Sequence, residues 1–330
     1  MSDTNMDEFA KLDALAVVEE LKSRNSIGMK LNVTEIVIPG VSSRKEEVEV
    51  EALGLPIFAD WLIDNVKIGQ KLNVTDITIP ERMKHNISTG HEKVDILMAG
   101  DGVTPSTVCL LTGTPGAGKS TLAAQLADCI TKAGHIAIYN MCEESLIQLA
   151  KVSKRLHIKN GFYVSSHRNV FDLVEHVNKI AEEHPNQQVF LFADSLQTLE
   201  LPHIMWDEKT GLPIRDKEGN TIKAQGRVPG HQTMEVLVTR ILACWAKSTF
   251  GIVFLVGQVN KDGEMAGRQA IKHDIDVHMH LSIQTVRDTT GRFTERICEI
   301  TKNRFGIANI YFPFELEARG IKFLEHRPKK

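Results

Sequence analysis

The apolar positions of this chain follow two spacings, and the change between them marks its organisation. Across residues 8–23, Ala10, Ala14, Val17, Val18 and Leu21 recur on one face of a 3.6-residue period while Lys11, Glu19, Glu20 and Lys22 fall elsewhere, which predicts an amphipathic helix. From Ser106 onward, short apolar runs alternate with helical patterns. TVCLLT precedes a helix after Lys119, HIAIYN one after Ser145, FYVS one from 170 to 184, and VFLFAD one from 231 to 248 that leads into GIVFLVG. Such alternation predicts a mostly parallel sheet with helices on its faces, and the stretch from about 277 predicts further strands. The expected fold class is therefore α/β, with a small α+β region at the N-terminus.

An internal repeat sets that N-terminal region apart. IGMKLNVTEIVIP at 27–39 recurs as IGQKLNVTDITIP at 68–80. In each copy Ile36 and Ile38, or Ile77 and Ile79, alternate with neighbours on the opposite face, which predicts a short half-buried strand ended by Pro39 or Pro80. Two copies cannot build a solenoid. A packing role for the duplicated segment and a docking role against neighbouring subunits both stay open. Between the copies, RKEEVEVE alternates Glu47, Glu49 and Glu51 with Val48 and Val50 and leads into an apolar patch from Leu53 to Leu62, so this stretch is expected to fold. A boundary near residue 82 divides an N-terminal region, 1–82, from a core, 83–330.

Composition narrows the setting. The chain is 42% hydrophobic and 25% charged, ordinary for a globular protein, and no stretch approaches the roughly 18 apolar residues of a membrane helix. The N-terminus lacks the basic-then-apolar order of a secretory signal. Cys109, Cys129, Cys142, Cys244 and Cys298 contain no CxxC pair, so a reducing cytoplasm fits and neither a zinc grip nor disulfide exchange is expected. A formal net charge of −3 gives no global basic field, so any nucleic-acid attraction has to come from local loops or an assembled channel.

The strongest chemical signal is Gly113-Thr114-Pro115-Gly116-Ala117-Gly118-Lys119-Ser120, followed by Thr121, which fits the phosphate-binding pattern G-x-x-x-x-G-K-[ST]. A strand candidate precedes it, and a helix follows in which Leu122, Leu126, Cys129 and Ile130 make an apolar stripe. Glycines at 113, 116 and 118 let the backbone curl so that its N–H groups face phosphate oxygens at a helix N-terminus. Lys119 is then placed for the β and γ phosphates of ATP, and Ser120 for Mg²⁺. Asp194, ending the apolar run VFLFAD, is the expected second group on the metal side. Glu143 and Glu144 follow the strand HIAIYN; orienting the attacking water and decorating the first turn of the next helix are both open, with position favouring Glu143.

The order of STGHEKVDILMAGDG, GTPGAGKST, EESLIQLAKVSKRL, DSLQTL, GQVNKDGEMAG, KHDIDV and Lys302-Asn303-Arg304-Phe305-Gly306 resembles the RadA (Sms) family of DNA recombination and repair ATPases over roughly residues 88–318. The resemblance implies a RecA-like P-loop core that forms a hexameric ring around DNA. It implies Glu143 as catalytic glutamate, Gln258 as γ-phosphate sensor, and Lys302 and Arg304 as cations reaching an adjacent subunit's nucleotide, where they would offset developing charge. Family members usually carry a four-cysteine zinc module and a Lon-protease-like domain that have no counterpart here, so a reduced or divergent relative is expected. Where the family shows His in the sensor strand, this chain has Gln258.

Two loops are candidates for DNA contact. The insertion HIMWDEKTGLPIRDKEGNTIKAQGRVPG carries Lys209, Arg215, Lys217, Lys223, Arg227 and Trp206 against Asp207, Glu208, Asp216 and Glu218; the second, Lys261 to His273, carries Arg268 and Lys272. The leading expectation is a DNA-dependent ATPase of the cytoplasm, a hexameric motor on single-stranded DNA in branch migration or unwinding, associated with the nucleoid. An ATP-controlled scaffold that recruits a recombinase or replication protein, and a RecA-like filament recombinase, are the alternatives.

Overall fold

The structure, a computed structural model, describes residues 30–32, 49–51, 79–201, 232–257, 269–288 and 291–325. The helix expected over 8–23, most of the repeat and the insertion from His203 to Gly230 lie outside them. Within the N-terminal region, strand β1 (Lys30–Asn32), in the first copy of the repeat, pairs antiparallel with β2 (Glu49–Glu51) from the alternating Glu/Val stretch.

The core runs α1 (Glu92–Met98), β3 (Val108–Gly113), α2 (Lys119–Lys132), β4 (Ile136–Met141), α3 (Leu146–Leu156), β5 (Tyr163–Ser165), α4 (Val170–Glu183) and β6 (Val189–Asp194). It continues through α5 (Gln232–Thr249), β7 (Ile252–Val256), α6 (Gln269–Asp274), β8 (Val277–Asp288), β9 (Gly291–Asn303), β10 (Ile310–Glu317) and β11 (Gly320–Phe323). Nine strands form one sheet in the order β11-β10-β9-β8-β3-β7-β6-β4-β5. From β8 to β5 all neighbours are parallel, and from β8 to β11 they are antiparallel. The expected α/β class and mostly parallel sheet are both present.

Both sheet faces are covered, which explains why the central strands are continuously apolar. Successive residues of a strand point to opposite faces. Cys109 and Leu111 of β3 pack with Leu122, Leu126 and Ile130 of α2, while Val108 and Leu110 pack with the layer of α4 and α5 that includes Val177, Val238 and Trp245. Trp245 is 1% exposed yet keeps its indole N–H satisfied, donating to Asn178 Oδ1 at 2.9 Å. Phe254, Phe192 and Tyr139 form a ladder across β7, β6 and β4, with ring centroids 5.0 and 6.1 Å apart.

Local signals fix the ends of the helices near the sheet's carboxyl edge. Ser145 and Gln148 form a capping box, the Ser145 side chain accepting from Gln148 N and the Gln148 side chain from Ser145 N. That start holds α3 directly behind Glu143 and Glu144. Among the described residues no helix is long and apolar enough to cross a membrane.

Candidate functional site

The carboxyl ends of three central strands finish level, because Asp194 is the register partner of both Met141 and Val256. In open α/β sheets this edge is where ligands gather. β3 arrives at the same edge with Gly113 opposite Leu281 of β8, and its chain turns through the glycine-rich loop into α2.

Close approach demands glycine at 113. A Cβ there would lie 2.6 Å from the Leu281 carbonyl oxygen and 3.2 Å from the Ala117 Cβ. Gly118 serves as N-cap at φ +106°, a left-handed conformation that disfavours any side chain. Its lack of a capping side chain leaves the first-turn amides of α2, which have no intrahelical acceptor, available to an anion. The first helical bond is Leu122 N to Gly118 O at 2.8 Å, and within the loop Ala117 N donates to Thr114 O at 3.0 Å.

Lys119 is buried, and its ammonium folds back to donate to the carbonyls of Gly113 at 2.9 Å and Thr114 at 3.2 Å. Burial pushes its pKa down, and the carboxylates of Asp194 and Glu143 pull the other way. A cation so placed, desolvated and facing two carboxylates, is suited to meet phosphate oxygens as a point charge.

Two carboxylates, Asp194 and Glu143, face that cation, and a third, Glu144, lies beside them. Asp194 is half-buried at the end of β6 and accepts a 2.6 Å hydrogen bond from the phenol of Tyr139. Glu143 is exposed in the turn after β4, and its carboxylate accepts from the hydroxyl of the buried Ser195. Glu144 has its pKa raised by burial and, after that, by Asp194 and Glu143. The donor set of one hydroxyl, Ser120, and one carboxylate, Asp194, fits Mg²⁺, which takes one or two protein ligands and completes its shell with water and substrate phosphates. Among the described residues no group of three or more His, Cys, Asp or Glu could hold a metal by itself.

Lys302 and Arg304 are not brought to this cluster. Asn303 pairs with Val277, at the amino end of β8, whereas the phosphate loop meets β8 at Leu281, about 13 Å further along. Both cations instead bind the carboxyl end of α6. Lys302 donates to the carbonyls of Lys272 and Ile275, and Arg304 donates to His273 O at 2.7 Å and to Asp276 Oδ1 at 3.1 Å. Gln258 and residues 261–268 of the second DNA-loop candidate lie outside the described residues, and the rest of that candidate, through His273, is not loop but part of α6.

The sequence reading passed over three features of the site. Tyr139 and Ser195 hold the two carboxylates, and their signal was slight: a polar tip inside an apolar strand, and a serine following the strand-end aspartate. Beneath the loop, Thr112 Oγ1 is hydrogen-bonded to His278 Nε2 and His280 Nδ1, both at 2.8 Å, and His278 Nδ1 to Thr301 Oγ1 at 2.5 Å. Burial, and secondarily Lys119 and Lys272, lower the pKa of His280.

Comparison with known proteins fits this geometry. The family model described as "ATPase: KaiC" matches residues 87–328. The chain is 30% identical over 251 residues to the DNA repair protein RadA of Mycobacterium tuberculosis, covering 73% of this chain and 45% of that protein. It is 32% identical over 223 residues to RadA of Streptococcus pyogenes, covering 67% of this chain and 42% of that protein. The chain thus spans less than half the length of these curated relatives. Among solved structures, a KaiC-like protein of Pyrococcus horikoshii shares the fold with a TM-score of 0.52 at 17% identity, over 73% of this chain and 99% of that one.

Replacing Lys119 with Ala removes a charge-assisted contact to phosphate and should weaken ATP binding by about one to two orders of magnitude. Fluorescence titration with an ATP analogue checks this, with thermal melting confirming that the variant stays folded; unchanged affinity would remove Lys119 from the site.

Proposed function

Since the chain belongs to the KaiC family of ATPases, we propose that it hydrolyses ATP to drive work on single-stranded DNA in repair and recombination, in the manner of the RadA proteins, as a ring of identical subunits. The observation that carries the reading is the convergence of Lys119, Ser120, Asp194 and Glu143 on one strand edge beside helix amides that no side chain caps.

Each residue then has one task. The amides of 113–121 and the Lys119 ammonium hold the β and γ phosphates in a fixed direction. Ser120 and Asp194 hold Mg²⁺, which when bound neutralises charge on those phosphates. Glu143, steadied by Ser195, orients and deprotonates the attacking water. Gln258, two residues beyond the end of β7, hydrogen-bonds the γ phosphate.

Lys302 and Arg304 lie too far along the sheet to reach their own chain's loop, and this supports a task at a neighbour's nucleotide. Phe305, 43% exposed, and Ile307, 71% exposed, flank them with apolar surface suited to a subunit contact. DNA contact falls to the segments 203–230 and 261–273, lining the ring's channel, with the region 1–82 as a separate appendage that binds a recombinase or replication partner.

Glu143→Gln should bind ATP with near-wild-type affinity while its turnover falls about a hundredfold or more, and single-stranded DNA should accelerate only the wild type in a phosphate-release assay. Equal wild-type rates with and without DNA would remove the motor reading. For the neighbour's role, Lys302→Ala and Lys119→Ala chains, each inactive alone, should regain part of the wild-type ATPase rate when mixed, because each supplies what the other lacks. Full activity of Lys302→Ala alone would contradict it.

A further inference from the structure

Tyr139 occupies an unusual position for a core aromatic. It is 3% exposed on β4, one strand in from the sheet's edge, its ring stacked on Phe192 and tilted against Phe162 with centroids 6.1 and 5.5 Å away. Rings packed on two sides leave the phenol little freedom, so its oxygen is fixed relative to β4 and β6. That oxygen donates to Asp194 Oδ2 at 2.6 Å. A buried tyrosine usually needs one partner for its hydroxyl. The partner of Tyr139 is the carboxylate on the metal side of the nucleotide site.

We propose that Tyr139 is a positioning residue for the divalent cation that accompanies the nucleotide, its phenol setting the orientation of the Asp194 carboxylate; this rests on the nucleotide-binding reading above. The hydrogen-bond inventory explains how. An ionised carboxylate only accepts, so the phenol spends its single proton on Asp194. With Oδ2 held, Oδ1 is the oxygen left for a cation or its water. Outer partners of this kind set the direction of first ligands, and their loss typically weakens metal binding while sparing the rest of a site.

Tyr139→Phe removes the hydroxyl and keeps the ring between Phe162 and Phe192. Binding of a fluorescent ATP analogue to the full chain is measured across a Mg²⁺ titration and, separately, in EDTA. The Mg²⁺ concentration giving half-maximal binding should rise about tenfold in the variant, while affinity in EDTA matches the wild type. The EDTA arm also reports folding, since a collapsed site would lose affinity there too. An unchanged Mg²⁺ dependence would overturn the proposal. Equal weakening with and without the metal would also overturn it, reducing Tyr139 to a packing residue. A wild-type chain that binds no nucleotide in either arm would instead remove the underlying functional reading.

Discussion

Lys119 must stand in the first turn of a buried helix while its ammonium faces a polyanion arriving from solvent, and that requirement organises the rest of the core. The lysine can be placed this way only if the strand before it and the helix after it are both held rigidly. β3 is therefore central in the sheet, flanked by β7 and β8, and α2 sinks Leu122, Leu126 and Ile130 into the apolar layer on one face. The intervening loop must then turn within a few residues against Leu281, which leaves no room for a Cβ at 113. Packing and chemistry make the same demand here, and the glycine-rich pattern answers both.

The same sheet carries the other groups to their places. β4 and β6 end level, so Glu143 and Asp194 arrive together, and Ser195 and Tyr139 hold one carboxylate each. On the antiparallel side, the hydrogen-bonded chain His280–Thr112–His278–Thr301 runs from the strand under the phosphate loop to the residue before Lys302. Lys302 and Arg304 in turn grip the end of α6. Polar contacts thus run from the strand under the phosphate loop to Thr301, and Lys302 beside it starts a second set at the end of α6.

Much of this was legible in the sequence, for definite reasons. Central strands buried on both faces must be continuously apolar, so TVCLLT, VFLFAD and GIVFLVG announced themselves, and the strand, loop and helix order around Lys119 followed from spacing alone. The Lys-Asn-Arg-Phe-Gly motif pointed to a shared ancestry that the match over residues 87–328 supports. The supporting groups were hidden because nothing local marks them. Tyr139 looks like any aromatic in an apolar strand, and its partner Asp194 lies 55 positions away in sequence. His278 and His280 meet Thr112, and Thr301 meets His278, only through the sheet order. Pairing across a sheet is a long-range fact, and a motif scan sees short-range ones.

Everything at this strand edge depends on the backbone between Gly113 and Thr121 cradling the triphosphate of ATP. Isothermal titration of the full chain with ATP in excess Mg²⁺ tests it most directly. Saturable binding of about one nucleotide per chain, displaced by ADP and insensitive to free adenosine, is the predicted result. Absence of any binding heat across temperatures, with equilibrium dialysis showing no retained nucleotide, would contradict it.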